Sequence, residues 1–131
     1  MLGLAVAPHQ ETSTAITYAV VGTGVWNPST STSAAGGAER ATSNKGASAS
    51  ITLTNVRQVA IVGPRSATRG SFEVWVDGAK VATVSEKATT TVYRHLLYVR
   101  GLTSGAGVTH IVKIVAVGDG RIDLDAILSL S

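Results

Sequence analysis

The sequence predicts an all-β domain, a β-sandwich or barrel of eight or nine short strands. Apolar residues recur at every second position in several short segments, and turn signals separate those segments at regular spacing. The composition agrees, because 14 Gly and many Val, Ser and Thr residues favour strands and turns. No segment has a convincing helical pattern.

The first half of the chain contains three predicted strands and one long loop. The strands cover 12–21, 47–54 and 57–63, and the last of these contains the short apolar run 59–62, which indicates a buried strand. Residues 22–46 are rich in Ser, Thr, Ala and Gly, with a short strand near 39–43. Because long loops in compact domains are usually functional or disordered, this loop is a candidate binding region.

The second half repeats the pattern of strand and turn. Asp77-Gly78 predicts a hairpin turn because Gly takes positive φ without steric cost, and Asp119-Gly120 is a second such signal. In the last strand, the apolar residues point inward, and Asp123 and Asp125 point away. The predicted elements are a turn at 63–70, strands at 71–76, 79–85, 91–99 and 121–130, a turn at 101–107, and a central strand at 108–117.

The length of 131 residues fits one domain, which we place at 12–131 after an N-terminal arm or linker at 1–11. The absence of Cys excludes disulfides and thiolate metal sites. The longest apolar run, 114–117, is too short for membrane insertion. The formal net charge is only +3 and the basic residues are mostly single, so nucleic acid is not expected as a partner.

No catalytic constellation can be assembled from the sequence. The nucleophile motif G-x-S-x-G, the Walker loop and H-E-x-x-H are all absent. A glycosidase needs two carboxylates that face each other across a cleft, but Glu73 with Asp77, and Asp123 with Asp125, each lie on one face of one strand. We therefore expect a protein that is not an enzyme.

Aromatic and basic residues supply the candidate ligand contacts. An aromatic ring can stack on the apolar face of a pyranose while Arg and Asn bond its hydroxyls. Each candidate also has a purely structural interpretation, as a core plug for the aromatics or a solvated surface charge for the arginines. The candidates are Trp26, Asn27, Arg65, Arg69, Trp75 and Arg94.

Three acids near the C-terminus form a candidate calcium site. Asp119, Asp123 and Asp125 could converge from a turn and a strand, and hard cations bind several oxygens. Their spacing does not match an EF-hand loop, so we favour ordinary polarity beside an Asp-Gly turn as the explanation.

Four motifs in a fixed order resemble a known family. They are G-P-x-x-x-x-R-G (63–70), V-D-G-x-x-V-A-T-V (76–84), L-x-x-G…T-H-x-x-x-I (102–114) and the terminal I-D-L-D-A-I. Over residues 14–131 the chain resembles galactose-binding-like jelly-roll modules of secreted bacterial proteins, which also occur beside glycoside hydrolases and in phage tail and virion proteins.

The resemblance implies a two-sheet antiparallel jelly roll that binds carbohydrate without catalysis. It also implies a possible structural calcium ion, with Asp125 as one ligand. The acidic residues of the N-terminal strand that complete such a site have no counterpart in ITYAV (16–20).

We therefore expect a carbohydrate-binding or adhesion module of a larger extracellular, secreted or virion-associated protein, whose partner is a glycan or cell-surface polysaccharide. The alternative is a structural assembly subunit, such as a virion decoration, tail or filament protein. That alternative predicts self-association or binding to other virion proteins.

Overall fold

Twelve strands make up the regular structure of the described residues, which are 6–20, 26–30 and 38–131 of this computed structural model. The strands are β1 Val6–Gln10, β2 Ile16–Ala19, β3 Asn27–Thr30, β4 Ala38–Thr42, β5 Ser48–Thr54, β6 Gln58–Arg65, β7 Ser71–Val76, β8 Ala79–Ser85, β9 Val92–Gly101, β10 Thr109–Ala116, β11 Ile122–Leu124 and β12 Ala126–Leu130.

The strands form two larger sheets and one small sheet, and all strand pairs are antiparallel. Sheet A has the order β1-β12-β6-β9, sheet B the order β2-β5-β10-β7-β8, and sheet C the order β11-β4-β3. The predicted all-β sandwich is therefore confirmed. Within the described ranges, the fold has no helix long and apolar enough to cross a membrane.

The core lies between the inner faces of sheets A and B. Sheet A contributes Ile61 and Ile127, and sheet B contributes Ile51, Phe72 and Ile114, all of which are buried. Alternation along each strand produces this arrangement, because successive side chains point to opposite faces of a sheet. Burial of these large apolar side chains is the main stabilising contribution to the fold.

Two of the predicted turn and strand features are confirmed in detail. Asp77 and Gly78 have φ of 52° and 82°, which is the left-handed conformation that a two-residue hairpin needs between β7 and β8. The strand predicted as central is β10, which lies between β5 and β7 in sheet B. The second hairpin signal is wrong, because Asp119-Gly120 connects β10 of sheet B to β11 of sheet C.

The predicted last strand is divided at Asp125. Its first part, β11, pairs with β4, and its second part, β12, pairs with β6. The break shifts the alternation by one residue, so Ile127 faces the core while Leu128 is only half-buried. Asp123 and Asp125 are 2% and 0% exposed, so the prediction that they point away from the protein interior is wrong.

Three boundaries differ from those that the sequence suggested. Residues 6–10, within the expected arm, form β1 and pair with β12. The expected strand near 39–43 is β4, and β3 also lies within the predicted loop 22–46, of which 22–25 and 31–37 lie outside the described residues. Strand β6 continues to Arg65, so the turn predicted at 63–70 begins later.

Candidate functional site

A surface pocket of about 300 Å³ lies beside sheet C. We call it the rim pocket, and its lining consists of Asn27, Pro28, Ala41, Thr42, Ser43 and Arg121. The hairpin of β3 and β4 and the pairing of β11 with β4 bring these residues together from distant parts of the chain. The lining offers amide, hydroxyl and guanidinium groups, which suit a ligand with many hydroxyls.

Arg121 is the charged residue of this lining, and a buried carboxylate fixes its position. Its Nε donates to Asp123 Oδ1 at 2.9 Å and its Nη2 donates to Asp123 Oδ2 at 2.8 Å. Such a two-pronged pair sets the plane of the guanidinium as well as its distance. Arg121 is therefore held in place before any ligand arrives.

Asp123 belongs to a larger acid–arginine cluster, made of Glu39, Glu86, Asp123, Arg69 and Arg121. Arg69 Nε lies 2.9 Å from Asp123 Oδ1, so two arginines share one carboxylate. The backbone N of Asp123 donates to Glu86 Oε1 at 3.0 Å. The cluster connects β4, β11 and the segments that flank β7 and β8, and it supports the rim pocket from within.

Burial controls the charge state of this cluster. Burial, followed by the charge of Asp123, raises the pKa of Glu39 from 4.5 to about 7. Burial also raises the pKa of Glu86 from 4.5 to about 9. At neutral pH Glu86 is therefore protonated.

Of the six predicted ligand residues, only Asn27 lines the rim pocket. Trp26 is half-buried and packs on the core, with its ring centroid 5.1 Å from that of Tyr18. Its Nε1 donates to the backbone oxygen of Ala19 at 3.3 Å. The guanidinium of Arg40 lies 4.6 Å from the centroid of the Tyr18 ring. These contacts agree with the structural interpretation of Trp26, in which its ring packs against the core.

The three predicted arginines lie at separate places. Arg65 donates from Nη2 to the backbone oxygen of Ser85 at 3.0 Å. Arg69 turns inward to Asp123, and 17% of its side chain is exposed. Arg94 is exposed on β9, with a φ of 53°.

Trp75 lies on β7, away from the rim pocket, on the face of sheet B that points to solvent. Its neighbours in the sheet, Val74 and Val76, point to the core instead. Trp26 and Trp75 therefore belong to different surfaces, which the sequence alone could not show.

The acids predicted to bind calcium are in three different environments. Asp119 Oδ1 accepts a hydrogen bond from the backbone N of Ser71 at 2.7 Å, and both oxygens of Asp123 are taken by arginines. Within the described part of the chain, no three His, Asp or Glu side chains are grouped as a metal site. Asp125 instead lies next to Glu11, whose backbone N donates to the backbone oxygen of Asp125 at 3.0 Å.

Sequence reasoning missed Thr42, Ser43 and Arg121 as pocket residues. The sequence predicts Ser43 as the end of a short strand and Arg121 as the start of a long last strand. Only the pairing of β11 with β4 brings Arg121 to the hairpin of β3 and β4. The one available signal was the i, i+2 spacing of Arg121 and Asp123, which puts both side chains on one face of a strand.

Solved structures of carbohydrate-binding modules share this fold. The CBM36-1 domain of a multidomain xylanase from the hindgut metagenome of Trinervitermes trinervoides has a TM-score of 0.67 at 11% identity, over 95% of this chain and 96% of that chain. A family 35 carbohydrate-binding module from Clostridium thermocellum has a TM-score of 0.61 at 9% identity, over 95% of this chain and 97% of that chain.

A larger enzyme contains a region of the same shape. The exo-β-1,3-galactanase of Phanerochaete chrysosporium, solved with galactose, matches with a TM-score of 0.65 at 15% identity, over 95% of this chain and 29% of that chain. No protein-family model matches the sequence, and no curated protein matches it. The chain therefore has the β-sandwich fold of carbohydrate-binding modules, and it matches two of them over nearly their whole length.

Proposed function

We propose that the protein is a non-catalytic carbohydrate-binding or adhesion module of a larger extracellular or phage-associated protein, and that it binds a glycan in the rim pocket. The observation that carries the proposal is the near-complete overlap with two carbohydrate-binding modules. The pocket supports it, because its polar lining lies in a concave surface of about 300 Å³, within the range of ligand sites.

Three polar pocket residues have a role in this proposal. Asn27 donates and accepts hydrogen bonds through its amide, Ser43 through its hydroxyl, and Arg121 donates from its fixed guanidinium. Pro28 and Ala41 give an apolar wall for the C–H face of a sugar ring. None of these groups is a nucleophile beside a base, so the proposal includes no reaction.

A glycan array followed by affinity electrophoresis tests the proposal. Ser43 is exposed in the pocket lining, so Ser43→Tyr fills the pocket without disturbing the core. Ser104→Tyr, at an exposed position in the loop before β10, adds the same side chain elsewhere and is the matched control. We expect Ser43→Tyr to abolish glycan binding and Ser104→Tyr to leave it unchanged. Equal binding by both variants, or no binding by the wild type, would refute the proposal.

We extend the proposal to a structural calcium ion held by Glu11 and Asp125. Glu11 is only 4% exposed, and its Oε2 has no hydrogen-bond partner in the structure. Burial, followed by the charge of Asp125, raises the pKa of Glu11, although a backbone hydrogen bond and the charge of Arg40 lower it. We expect calcium to raise the Tm of the wild type over that in chelator, and to have no effect on the Tm of Glu11→Gln.

Self-association is a second candidate function, and one surface favours it. On the outer face of sheet A, Val6, Leu96 and Val99 are 57%, 54% and 45% exposed. A structural assembly subunit could bury this face against a neighbour. Light scattering over a range of concentrations decides between the candidates: an oligomer that Leu96→Lys dissociates supports assembly, and a monomer at all concentrations excludes it.

A further inference from the structure

Trp75 occupies an unusual place for a large aromatic side chain. Phe72 and Val74, on the same strand β7, are 1% and 0% exposed and fill the core, whereas Trp75 lies on the opposite face of the strand. Lys113 of β10 is its partner on one side and Lys80 of β8 on the other. The core therefore does not need this ring, which lies on the solvent-facing surface of sheet B, on the strand next to the edge strand β8.

Neighbouring charges hold the ring in one orientation. Trp75 Nε1 donates to Glu73 Oε1 at 3.1 Å, and Glu73 Oε2 lies 3.0 Å from Lys80 Nζ. Lys113 Nζ lies 5.8 Å from the centroid of the ring. Hydrogen bonds from Lys80 and Trp75 lower the pKa of Glu73, so this acceptor stays ionised. A ring that is already oriented loses little entropy when a ligand stacks on it.

The surface around Trp75 is rich in hydroxyl groups and low in charge. The charged side chains near the ring are Glu73, Lys80 and Lys113, and their net charge is +1. We call this surface the Trp75 face. Its other outward positions on β5, β7, β8 and β10 are mostly hydroxyl side chains: Ser48, Ser50, Thr52, Thr54, Ser71, Thr83, Ser85 and Thr109, together with Ile111 and Val115.

We propose that the Trp75 face is a second carbohydrate-binding surface, for the flat faces of pyranose rings in an insoluble polysaccharide. The apolar C–H face of a pyranose matches the ring of Trp75, while Glu73 and the two lysines reach the hydroxyl groups at the sugar's edge. A sheet surface without walls suits an extended, flat array of chains, whereas the rim pocket suits a single residue or chain end. The inference adds a separate surface to the proposed function and does not depend on the rim pocket.

Depletion assays with microcrystalline cellulose and with chitin test this surface. We expect the wild type to bind at least one of these solids, Trp75→Ala to bind about tenfold more weakly, and Trp75→Phe to lie between them. Val99→Ala, which truncates an exposed side chain on the outer face of sheet A, is the control and keeps wild-type binding. Thermal unfolding of each variant separates a loss of binding from a loss of fold.

The pocket variant distinguishes the two proposals. If Ser43→Tyr keeps binding to the solid and folded Trp75→Ala loses it, the second surface is supported even if the rim pocket binds nothing. If Trp75→Ala binds as well as the wild type, or the wild type binds neither solid, the Trp75 face is not a binding surface. If Ser43→Tyr loses binding to the solid and Trp75→Ala keeps it, the polysaccharide binds in the rim pocket, and the inference is also overturned.

Discussion

The two outer faces of the sandwich differ sharply, although both belong to antiparallel sheets. On sheet A, the outward positions of β6 include Ala60 and Val62, which are 5% and 6% exposed. On sheet B, the outward positions of β5 are Ser and Thr, such as Thr52, which is exposed. The difference shows that sheet B follows the usual pattern with one solvated face, whereas the outer side of sheet A is apolar as well.

A charge placed on each outer face should separate the two sheets clearly. Ala60→Asp puts a carboxylate where only 5% of the side chain is exposed, so we expect it to lower the free energy of unfolding by about 2 kcal/mol or more. Thr52→Asp faces water, so its effect stays within about 0.5 kcal/mol. Urea unfolding measures both.

Ala60→Asn is the control for size, since it matches the volume of Asp without its charge. The contrast between the faces is supported if Ala60→Asn lowers the free energy of unfolding clearly less than Ala60→Asp does. Equal costs for Ala60→Asp and Thr52→Asp would show that the outer face of sheet A is as well solvated as that of sheet B.

The same contrast limits what the sequence could reveal. Alternation in 47–54 gave the correct faces for β5, because one side is polar. Residues 59–62 of the next strand are all apolar, so alternation could not say which of their side chains face the core. The break at Asp125 was also hidden, because the i, i+2 pattern continues through it in the sequence while β11 and β12 join different sheets. The rim pocket depends on that break, and so most of its lining could not be predicted.

The acids of the acid–arginine cluster and those on sheet B should change the stability of the fold with pH in opposite directions. Glu39 and Glu86, buried in the acid–arginine cluster, have pKa values raised to about 7 and about 9, whereas the pKa values of Glu73 and Asp77 on sheet B are lowered. The folded state keeps protons on Glu39 and Glu86 that the unfolded chain loses near pH 4.5. Stability therefore falls as pH rises from about 5 towards 9, by up to about 1.4 kcal/mol per pH unit for each retained proton.

Unfolding experiments at several pH values, on the wild type and on Glu86→Gln, measure this response. Gln stays neutral and can still accept the hydrogen bond from the backbone N of Asp123. We expect the variant to lose less stability than the wild type between pH 5 and 9. Parallel curves for the two proteins would contradict the assignment of a retained proton to Glu86. For Glu73 and Asp77 the sign is reversed, since their contribution is lost only as pH falls through their lowered pKa values.

The smallest effect concerns His110, which joins the loop before β10 to the turn after β7. Its Nδ1 lies 2.6 Å from Asp77 Oδ2 and its Nε2 lies 2.7 Å from the backbone oxygen of Thr103. Neither partner can donate when Asp77 is ionised, so both ring nitrogens must carry protons to bond both. The hydrogen bond to Asp77 raises the pKa of His110 above 6.5, and the stability from this contact is lost as pH rises through the raised value.

A proton NMR titration of His110 in the wild type and in Asp77→Asn measures this shift. We expect the pKa of His110 to lie above 6.5 in the wild type and to fall in the variant, because Asn has no charge to stabilise the imidazolium. An unchanged pKa in Asp77→Asn would show that the contact does not control the protonation of His110.

Isothermal titration calorimetry measures whether the protein binds carbohydrate in the rim pocket, as we propose. The titrant is the glycan that an array of the wild-type chain selects, and the two other samples are Ser43→Tyr and Ser104→Tyr. We predict that the wild type and Ser104→Tyr bind with the same Kd and that Ser43→Tyr gives no heat of binding. The same Kd for all three proteins would contradict the claim.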